Sequence, residues 1–428
     1  MEEYINRNNN TYSNEKEKAI IVGVLHNNQE SQQLNDYLDE LELLADTAGA
    51  KVLAREVQER QKIHPATYIG KGKVEYLSEL VSELGANLII FDDDLSPAQV
   101  KNIERICKVK ILDRSGIILD IFARHAQTKE AKTQVELAQL NYLMPRLTRR
   151  WTHLSRQAGG AGIGLRGPGE TQLEVDKRLI TRRITKLKNE LLKISKQRQI
   201  RRKHRLDCYK VALVGYTNVG KSTLLNSLTD ADIFVEDRLF ATLDSTVRRM
   251  ENRENLEILM IDTVGFIRKL PHHLVASFKS TLEEIQEADL LLHVIDISAP
   301  NMDEQIKSVE TVLDEIGVSE KPVLYVFNKV DRLKDRSFIN QCKEEYYPSS
   351  FVSAERNLLI NELKDNILIS LGNSYLEVNI KLSIYQQKEV AQIYNICKVL
   401  EKNFVNEHVD LRVRIKKDNF AYIEQFVN

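Results

Sequence analysis

The sequence predicts an α/β fold made of several domains, and three observations support this prediction. Short apolar segments alternate with helical patterns from Lys18 to about Arg124, and a second alternation of this kind starts at Lys210. Two long charged helical segments lie between these regions. At 428 residues, the chain has the length of about three domains. We therefore expect two α/β domains separated by helices, with a smaller domain at the end.

Residues 18–128 are predicted to form a small α/β domain with a parallel sheet. Its expected strands are Ala19–Leu25, Lys51–Val57, Asn87–Phe91 and Lys108–Leu112, with helices near 32–48, 72–84 and 97–107. Residues 1–17 are rich in Asn and Glu and are predicted to be disordered. The segment Gly70–Lys73 resembles an anion-binding turn, but no strong strand precedes it, which favours a turn into a helix.

Residues 129–206 predict a long antiparallel helical hairpin. One helix is expected from about Lys129 to Arg150, and the other from about Leu173 to Lys203. In the second helix, apolar residues recur at alternating spacings of four and three, which is the period of a coiled-coil seam. These residues are Ile180, Ile184, Leu187, Leu191 and Ile194.

The connector of the hairpin is rich in glycine, because six of the chain's 17 glycines lie between Gly159 and Gly169. Such a connector is usually a flexible linker, but Ile163 and Leu165 favour a loop that becomes ordered against a ligand. The residues before it include an aromatic ring and an arginine, which can stack on unpaired bases or pack within the hairpin. These residues are Trp151, His153 and Arg156. The candidate RNA contacts are Trp151, Arg156, Gly159, Gly160, Gly162, Gly164, Arg166, Gly167 and Gly169.

Positive charge is concentrated in the same region. From Arg146 to Arg205 there are 18 Lys and Arg against 4 Asp and Glu, a net +14, whereas the whole chain has a net charge of −1. A charge run is usually a solvated helix face, but an imbalance of this size indicates a polyanionic partner.

A phosphate-binding loop follows the hairpin. The segment from Gly215 to Ser222 reads GYTNVGKS, a G-x-x-x-x-G-K-[ST] pattern between an apolar strand and a helix. Its backbone N–H groups can bind phosphate oxygens, Lys221 can reach the β- and γ-phosphates, and Ser222 can bind Mg²⁺. Residues 207–372 are therefore predicted to form a Ras-like P-loop domain.

Residues further along the chain predict that the base is guanine. Asn328, Lys329 and Asp331 form an N-K-x-D motif after an apolar strand. The Asp331 carboxylate can accept hydrogen bonds from N1–H and the 2-amino group of guanine, and adenine lacks both donors. Asn328 would support the loop, Lys329 would lie along the base, and the amides of Ser353 and Ala354 would meet the guanine O6. The predicted substrate is GTP.

The catalytic arrangement is predicted to use Mg²⁺. Asp262, in a D-T-V-G motif at a strand end, would hold the ion together with Ser222 and a switch threonine. That threonine is expected to be Thr242, with Thr246 as the reserve. Gly265 would contact the γ-phosphate through its N–H.

Phe266 occupies the position where many GTPases carry a water-orienting glutamine. A phenyl ring cannot orient water, so we expect slow intrinsic hydrolysis and an activating partner. Asn218 can recruit K⁺ in place of an arginine finger, or it can stabilise the loop. The catalytic candidates are Lys221, Thr242, Gly265 and Asn218. The nucleotide contacts are expected from Gly215, Tyr216, Thr217, Asn218, Val219, Gly220, Lys221, Ser222, Thr223, Phe240, Ala241, Thr242, Asp262, Thr263, Val264, Gly265, Asn328, Lys329, Asp331, Ser353 and Ala354.

Residues 373–428 predict a small α+β domain, with a helix from Gln387 to Asn403 between two strands. In the preceding domain, residues 331–341 are predicted to be a loop. The four scattered cysteines have no metal-binding spacing, and no apolar run is long enough to span a bilayer. These observations favour a cytoplasmic protein, which is expected to be a monomer.

Four further segments have distinctive sequences. They are FDDDLSPAQ from Phe91, LDRSG from Leu112, TQVELAQ from Thr133 and RGPGETQLE from Arg166. Together with the phosphate loop and the D-T-V-G-F motif, they resemble the HflX family of GTPases over nearly the whole chain. The resemblance implies a factor that binds the 50S subunit, contacts 23S rRNA near the peptidyl-transferase centre through the hairpin tip, and splits stalled 70S ribosomes.

One feature departs from the family pattern. Ala161 and Gly162 look like an insertion in the glycine-rich loop, which implies a longer tip. Some family members with lengthened tips are linked to protection from antibiotics. The resemblance leaves open whether this chain is such a form or the housekeeping form.

Two other functions stay open from the residues alone. The first is a nucleotide-gated adapter whose hairpin binds a protein, although the hairpin sequence concentrates no exposed apolar anchors. The second is an RNA-associated GTPase of ribosome assembly or RNA metabolism. An RNA-modifying enzyme is disfavoured because no catalytic cysteine, methyl-donor loop or metal cluster accompanies the motifs.

Overall fold

The chain folds into two compact units. The computed structural model describes residues 16–25, 31–150, 172–202, 208–229, 239–240, 246–251, 256–269, 284–333, 337–372, 375–383, 385–386, 389, 393–394, 397–405 and 408–427. The first unit ends at Lys193, apart from the short later pieces Arg238–Ala241 and Leu270–Ser277, and the second contains the other residues. The predicted disordered N-terminus up to residue 15, the segment 151–171 with its candidate RNA contacts, and both Ala241 and Thr242 lie outside the described residues.

A four-stranded parallel sheet forms the core of the first unit, with the strand order β2-β1-β3-β4. Its strands are β1 Glu17–Leu25, β2 Ala50–Glu59, β3 Leu88–Phe91 and β4 Lys110–Asp113. Its helices are α1 Ser31–Thr47, α2 Lys71–Leu84, α3 Pro97–Cys107 and α4 Arg114–His125. All four residues of β3 are buried, as expected for a central strand of a parallel sheet. The predicted parallel-sheet α/β domain is confirmed.

Two local features of this unit bear on the sequence predictions. Gly70 precedes α2 directly, and its N–H donates to Gln58 Oε1 at 2.8 Å. This segment is therefore the predicted turn into a helix. Helix α4 was not predicted, because its first turn depends on a cap from Asp113, the last residue of β4.

The side chain of Asp113 forms hydrogen bonds both to α4 and to the next helix, α5 (Lys129–Arg150). This side chain is fully buried. Oδ1 accepts from Gly116 N at 2.9 Å and from the Tyr142 hydroxyl at 2.6 Å, while Oδ2 accepts from Arg146 Nη2 at 2.6 Å and from Leu95 N at 3.2 Å. We call these five residues the Asp113 cluster. It satisfies a buried carboxylate completely and fixes α5 against the sheet edge.

The LDRSG motif is explained by this cluster and by the buried charges beside it. A Cβ atom on Gly116 would lie 2.7 Å from the Tyr142 hydroxyl oxygen, so this close approach requires glycine. Arg114 is 1% exposed and forms ion pairs with Asp92 and Glu40. Asp92 belongs to the FDDD segment and Arg114 to the LDRSG motif. The buried ion pair between them therefore joins two of the distinctive motifs.

Helix α6 (Gln172–Arg202) packs against α5. Arg183 of α6 donates to Glu136 of α5 through Nε and Nη2, at 2.6 and 2.7 Å. The apolar contact is formed by buried Leu137, Ile180, Ile184 and Leu187, with Leu140, Met144 and Leu191 partly buried. The predicted helix limits agree with the structure to within one residue. Of the predicted seam, Ile180, Ile184, Leu187 and Leu191 take part in this contact, whereas Ile194 does not belong to it.

A six-stranded sheet forms the core of the second unit, with the order β10-β9-β8-β5-β7-β6. Only the β6–β7 pair is antiparallel among its described pairs. The strands are β5 Tyr209–Gly215, β6 Thr246–Met250, β7 Ile258–Asp262, β8 Leu290–Asp296, β9 Val323–Asn328 and β10 Ser349–Phe351. The helices are α7 Lys221–Thr229, α8 Met302–Glu315, α9 Ser337–Glu345 and α10 Ile360–Gly372. Helix α9 corrects the predicted loop at 331–341, because its amphipathic pattern buries Cys342.

The chain ends in a three-stranded antiparallel sheet of order β11-β13-β12. Its strands are β11 Tyr375–Ser383, β12 Lys398–Val405 and β13 His408–Lys416. The predicted helix up to Asn403 is wrong from Lys398 onward, because this segment pairs with β13 along its length. None of the described helices has the length and hydrophobicity needed to cross a membrane.

The Asp113 cluster gives a prediction about stability. Tyr142→Phe removes one donor from a buried carboxylate, so we expect a loss of about 1–2 kcal/mol in the free energy of opening around α4. Hydrogen exchange of the α4 amides measures this loss. The control is Tyr76→Phe, since the Tyr76 hydroxyl contacts Glu56 at 3.3 Å on an exposed surface. Equal exchange rates in both variants would contradict the role of the cluster.

Candidate functional site

The phosphate loop lies between β5 and α7 in the second unit. Lys221, the first residue of α7, is 7% exposed. Its Nζ donates to the carbonyl oxygens of Gly215 at 3.1 Å and Tyr216 at 2.6 Å. Burial lowers the pKa of Lys221 to about 8, and attraction to Asp262 partly opposes this. The ammonium is therefore mostly ionised at neutral pH and is held at the loop by backbone oxygens.

The predicted metal ligands come together at the end of β7. Ser222 Oγ donates to Asp262 Oδ2 at 2.6 Å, and Asp262 is 1% exposed. A hydroxyl and a carboxylate at this distance match the oxygen ligands that Mg²⁺ takes beside substrate phosphates. Thr246, the reserve switch threonine, is the cross-strand partner of Asp262 in the β6–β7 pair. When bound, Mg²⁺ would neutralise charge on the β- and γ-phosphates.

The guanine-recognition residues are connected to the phosphate loop. Asn328 Nδ2 donates to Val219 O at 2.9 Å, and its Oδ1 accepts from Ala354 N at 3.0 Å. Lys329 Nζ donates to Asn218 O at 2.8 Å. The structure thus brings the N-K-x-D motif, the Ser353–Ala354 turn and the loop into one network, as the order of the motifs predicts.

Asp331 is held ionised at the end of this network. A hydrogen bond from the Ser353 hydroxyl is the main cause that lowers the pKa of Asp331, and the charge of Arg356 adds to it. Arg356 Nε lies 3.4 Å from Asp331 Oδ2. An ionised carboxylate is the form that accepts both guanine donors.

Sequence reasoning missed several residues near this site. Arg356 follows Ser353 by three residues, and Asp296 pairs with Lys329 at 2.7 Å from the end of β8. His293 is 1% exposed in β8, and burial lowers its pKa to about 3, so it is neutral. Asp296 could have been predicted because it is the last residue of a buried apolar strand. No motif in the sequence indicates a role for Arg356 or His293.

Phe266 is buried, at 2% exposure, which supports its interpretation as a packing residue. Its N–H donates to Gly215 O at 3.0 Å, and its carbonyl accepts from Thr217 N at 2.8 Å. These bonds fasten the D-T-V-G-F segment to the phosphate loop.

Phe240 lies in a different environment from the other candidates. It belongs to the first unit, where its ring packs edge-on against Phe122 with 4.7 Å between the ring centroids. Its predicted contact with the nucleotide stays a prediction.

The arrangement defines a P-loop GTPase, because the phosphate loop, the Ser222–Asp262 pair and the N-K-x-D motif all lie in the second unit, and hydrogen bonds join the motif to the loop. Comparison with protein families narrows this class. Residues 210–329 match a family described as 50S ribosome-binding GTPase, residues 35–123 match the GTP-binding GTPase N-terminal family, and residues 125–205 match the GTP-binding GTPase middle region.

The chain belongs to the HflX family of GTPases. It is 44% identical over 422 residues to GTPase HflX of Caldanaerobacter subterraneus, covering 96% of this chain and 94% of that protein. It is 43% identical over 404 residues to GTPase HflX of Escherichia coli, covering 93% of each. With GTPase HflX of Flavobacterium psychrophilum the identity is 53% over 318 residues, covering 74% of this chain and 76% of that protein. The family resemblance and the GTPase activity predicted from the motifs are confirmed.

The guanine assignment is tested by Asp331→Asn. We expect the preference to move from GDP toward xanthosine diphosphate by about two orders of magnitude or more, because the amide donates to the xanthine 2-oxo group and loses a guanine contact. Equilibrium binding of fluorescent GDP in competition with both nucleotides measures this shift. Glu355→Gln is the matched control, since Glu355 carries an exposed carboxylate two residues beyond Ser353. If the Asp331→Asn protein still prefers GDP, the assignment of Asp331 as the guanine-recognition residue is wrong.

Proposed function

We propose that this chain is a GTP-hydrolysing translation factor that binds the large ribosomal subunit and splits stalled or idle 70S ribosomes. The observation that carries the proposal is the match of residues 210–329 to the 50S ribosome-binding GTPase family, within a chain of the HflX family. Ribosomes are large polyanions, so a surface that binds rRNA backbone is required.

Helix α6 supplies such a surface. Its apolar side, with Ile180, Ile184 and Leu187, packs against α5, and the rest of its surface carries eight exposed basic residues, of which Arg183 is paired with Glu136 of α5. They are Lys177, Arg178, Arg182, Arg183, Lys186, Lys188, Lys193 and Lys196. Dense positive charge on an exposed helix favours phosphate contacts through counterion release, which supports an RNA partner.

The glycine-rich connector between α5 and α6 would continue this surface. We propose that its candidate contacts, from Trp151 to Gly169, bind 23S rRNA. The connector joins α5 to α6, and these two helices pack against each other, so the helix pair anchors both ends of the connector. The insertion at Ala161 and Gly162 would lengthen the loop, so a role in protection from antibiotics is part of the proposal. The protein would act in the cytoplasm, as a monomer.

Hydrolysis would be coupled to ribosome binding. Phe266 offers no polar group for the attacking water, so the rate of the isolated chain is expected to be low. Lys221 and the Gly265 N–H would stabilise charge on the γ-phosphate, and Ser222, Asp262 and Thr242 would hold Mg²⁺. Thr242 would also close over the γ-phosphate, so that phosphate release relaxes the switch.

A nucleotide-gated adapter is the second candidate, and one observation favours it. Leu143, Leu179 and Leu192 on the two helices are 45%, 44% and 61% exposed. Exposed leucines indicate a protein-binding surface where they form a contiguous patch, and Leu179 and Leu192 are separated along α6. They are outnumbered by the basic residues of α6, so we favour RNA.

The ribosomal assignment is tested by GTP turnover and by sucrose-gradient analysis of 70S particles. Purified 50S subunits are expected to stimulate turnover at least tenfold over 30S subunits, and deletion of residues 159–169 is expected to abolish splitting. The paired change Arg182→Glu and Lys186→Glu should weaken 50S binding and make it less salt-dependent. Lys307→Glu, an exposed charge reversal on α8, is the control. Absence of both 50S binding and stimulation would refute the assignment.

Potassium dependence is a separate prediction about Asn218. If its exposed side chain recruits K⁺ between the phosphates, GTP turnover should be several-fold faster in KCl than in NaCl, because the bound cation offsets transition-state charge. Asn218→Gly removes the amide without strain, since the residue has φ of +59°. We expect this variant to lose the difference between the two salts. Equal rates of the wild type in KCl and NaCl would exclude the cation site.

A further inference from the structure

Thr217, in the middle of the phosphate loop, has a buried hydroxyl that the interactions above leave unused. The residue is 6% exposed, and its Oγ1 has no hydrogen-bond partner within the described part of the chain. Buried hydroxyls are nearly always paired, because an unpaired one costs free energy of desolvation. An orphan hydroxyl in a substrate loop indicates a partner that arrives with the substrate.

Thr217 lies beside two residues that are predicted to contact the γ-phosphate. A Cβ atom on Gly265 would be 3.0 Å from both Lys221 Nζ and Thr217 Cγ2, so these three residues converge. The Thr217 N–H is already bound to Phe266 O at 2.8 Å, which fixes the backbone beside the D-T-V-G-F segment. Thr217 therefore adjoins the two groups that face the γ-phosphate.

Among the described side chains that meet here, neither Lys221 nor Phe266 offers a hydrogen-bond acceptor for water. The Lys221 ammonium and the Gly265 N–H are donors, and the Phe266 ring is buried and apolar. A water that attacks phosphorus must be oriented through its own O–H groups, which requires an acceptor. A threonine hydroxyl both accepts and donates, so it has the property that Phe266 lacks.

We propose that the Thr217 hydroxyl holds the attacking water against the γ-phosphate of GTP, as a catalytic residue of this GTPase. The oxygen of the water forms a bond to the γ-phosphorus, and the bond from phosphorus to the β,γ-bridging oxygen breaks. The electron pair of that bond leaves with GDP. The proton of the water passes to an oxygen of the departing phosphate, and Thr217 keeps its own proton throughout.

The proposal is tested with Thr217→Val, which keeps the shape and removes the hydroxyl, and with Thr217→Ser, which retains it. For the full chain without ribosomes, we expect Thr217→Val to lower kcat about tenfold, the effect of one lost transition-state hydrogen bond. KM for GTP and affinity for GDP should not change, whereas Thr217→Ser should restore most of the rate. The Tm of Thr217→Val should equal or exceed that of the wild type, because an unpaired polar group is removed.

A second measurement separates catalysis from structure. GDP with aluminium fluoride imitates the phosphoryl group with its attacking water, so Thr217→Val should bind this complex about tenfold more weakly than the wild type while binding GDP equally. Wild-type kcat in Thr217→Val would overturn the proposal. A parallel loss of GDP affinity, or a fall in Tm in both variants, would also overturn it, since either result assigns Thr217 a structural role.

Discussion

The side-chain amide of Asn328 is the interaction on which the nucleotide site depends. It donates to Val219 of the phosphate loop and accepts from Ala354 of the loop after β10, so one planar group sets the distance between the two ends of the site. Both of its partners are backbone groups, and neither can turn away without leaving a buried polar atom unpaired. The phosphate and base subsites therefore form one rigid unit. Lys329 adds a contact to the same loop, at Asn218.

The first unit is organised by a comparable constraint on buried charge. Asp92, Asp113 and Arg114 are at most 2% exposed, and each has charged or polar partners. Burial of unpaired charge would cost several kcal/mol, so these partners must all be present together. Asp92 and Asp113 of this unit are thus buried together with their partners, while α6 carries exposed cations.

The sequence predicted best what short motifs determine. The loop from Gly215 to Ser222 follows from local spacing alone, and the prediction that Asn328 supports this loop agrees with its bond to Val219 O. The predicted contacts of Asn328 and Lys329 with guanine stay predictions. Residues whose role depends on distant contacts were missed. Tyr142 meets Asp113 across 29 positions, and no periodicity marks that pairing. Strand β12 was predicted as helix for the same reason, since its strand conformation comes from pairing with β13 rather than from its own residues.

The edge of the C-terminal sheet has a consequence for how copies of the chain behave at high concentration. Within the described residues, strand β12 pairs with β13 on one side only, and an open strand edge is a template for pairing with another chain. Lys402 is exposed although its cross-strand partner Leu411 is buried, so a cation lies on the apolar side of the sheet. A second molecule that added its strand there would have to desolvate this ammonium. The charge therefore discourages aggregation at this edge of the sheet.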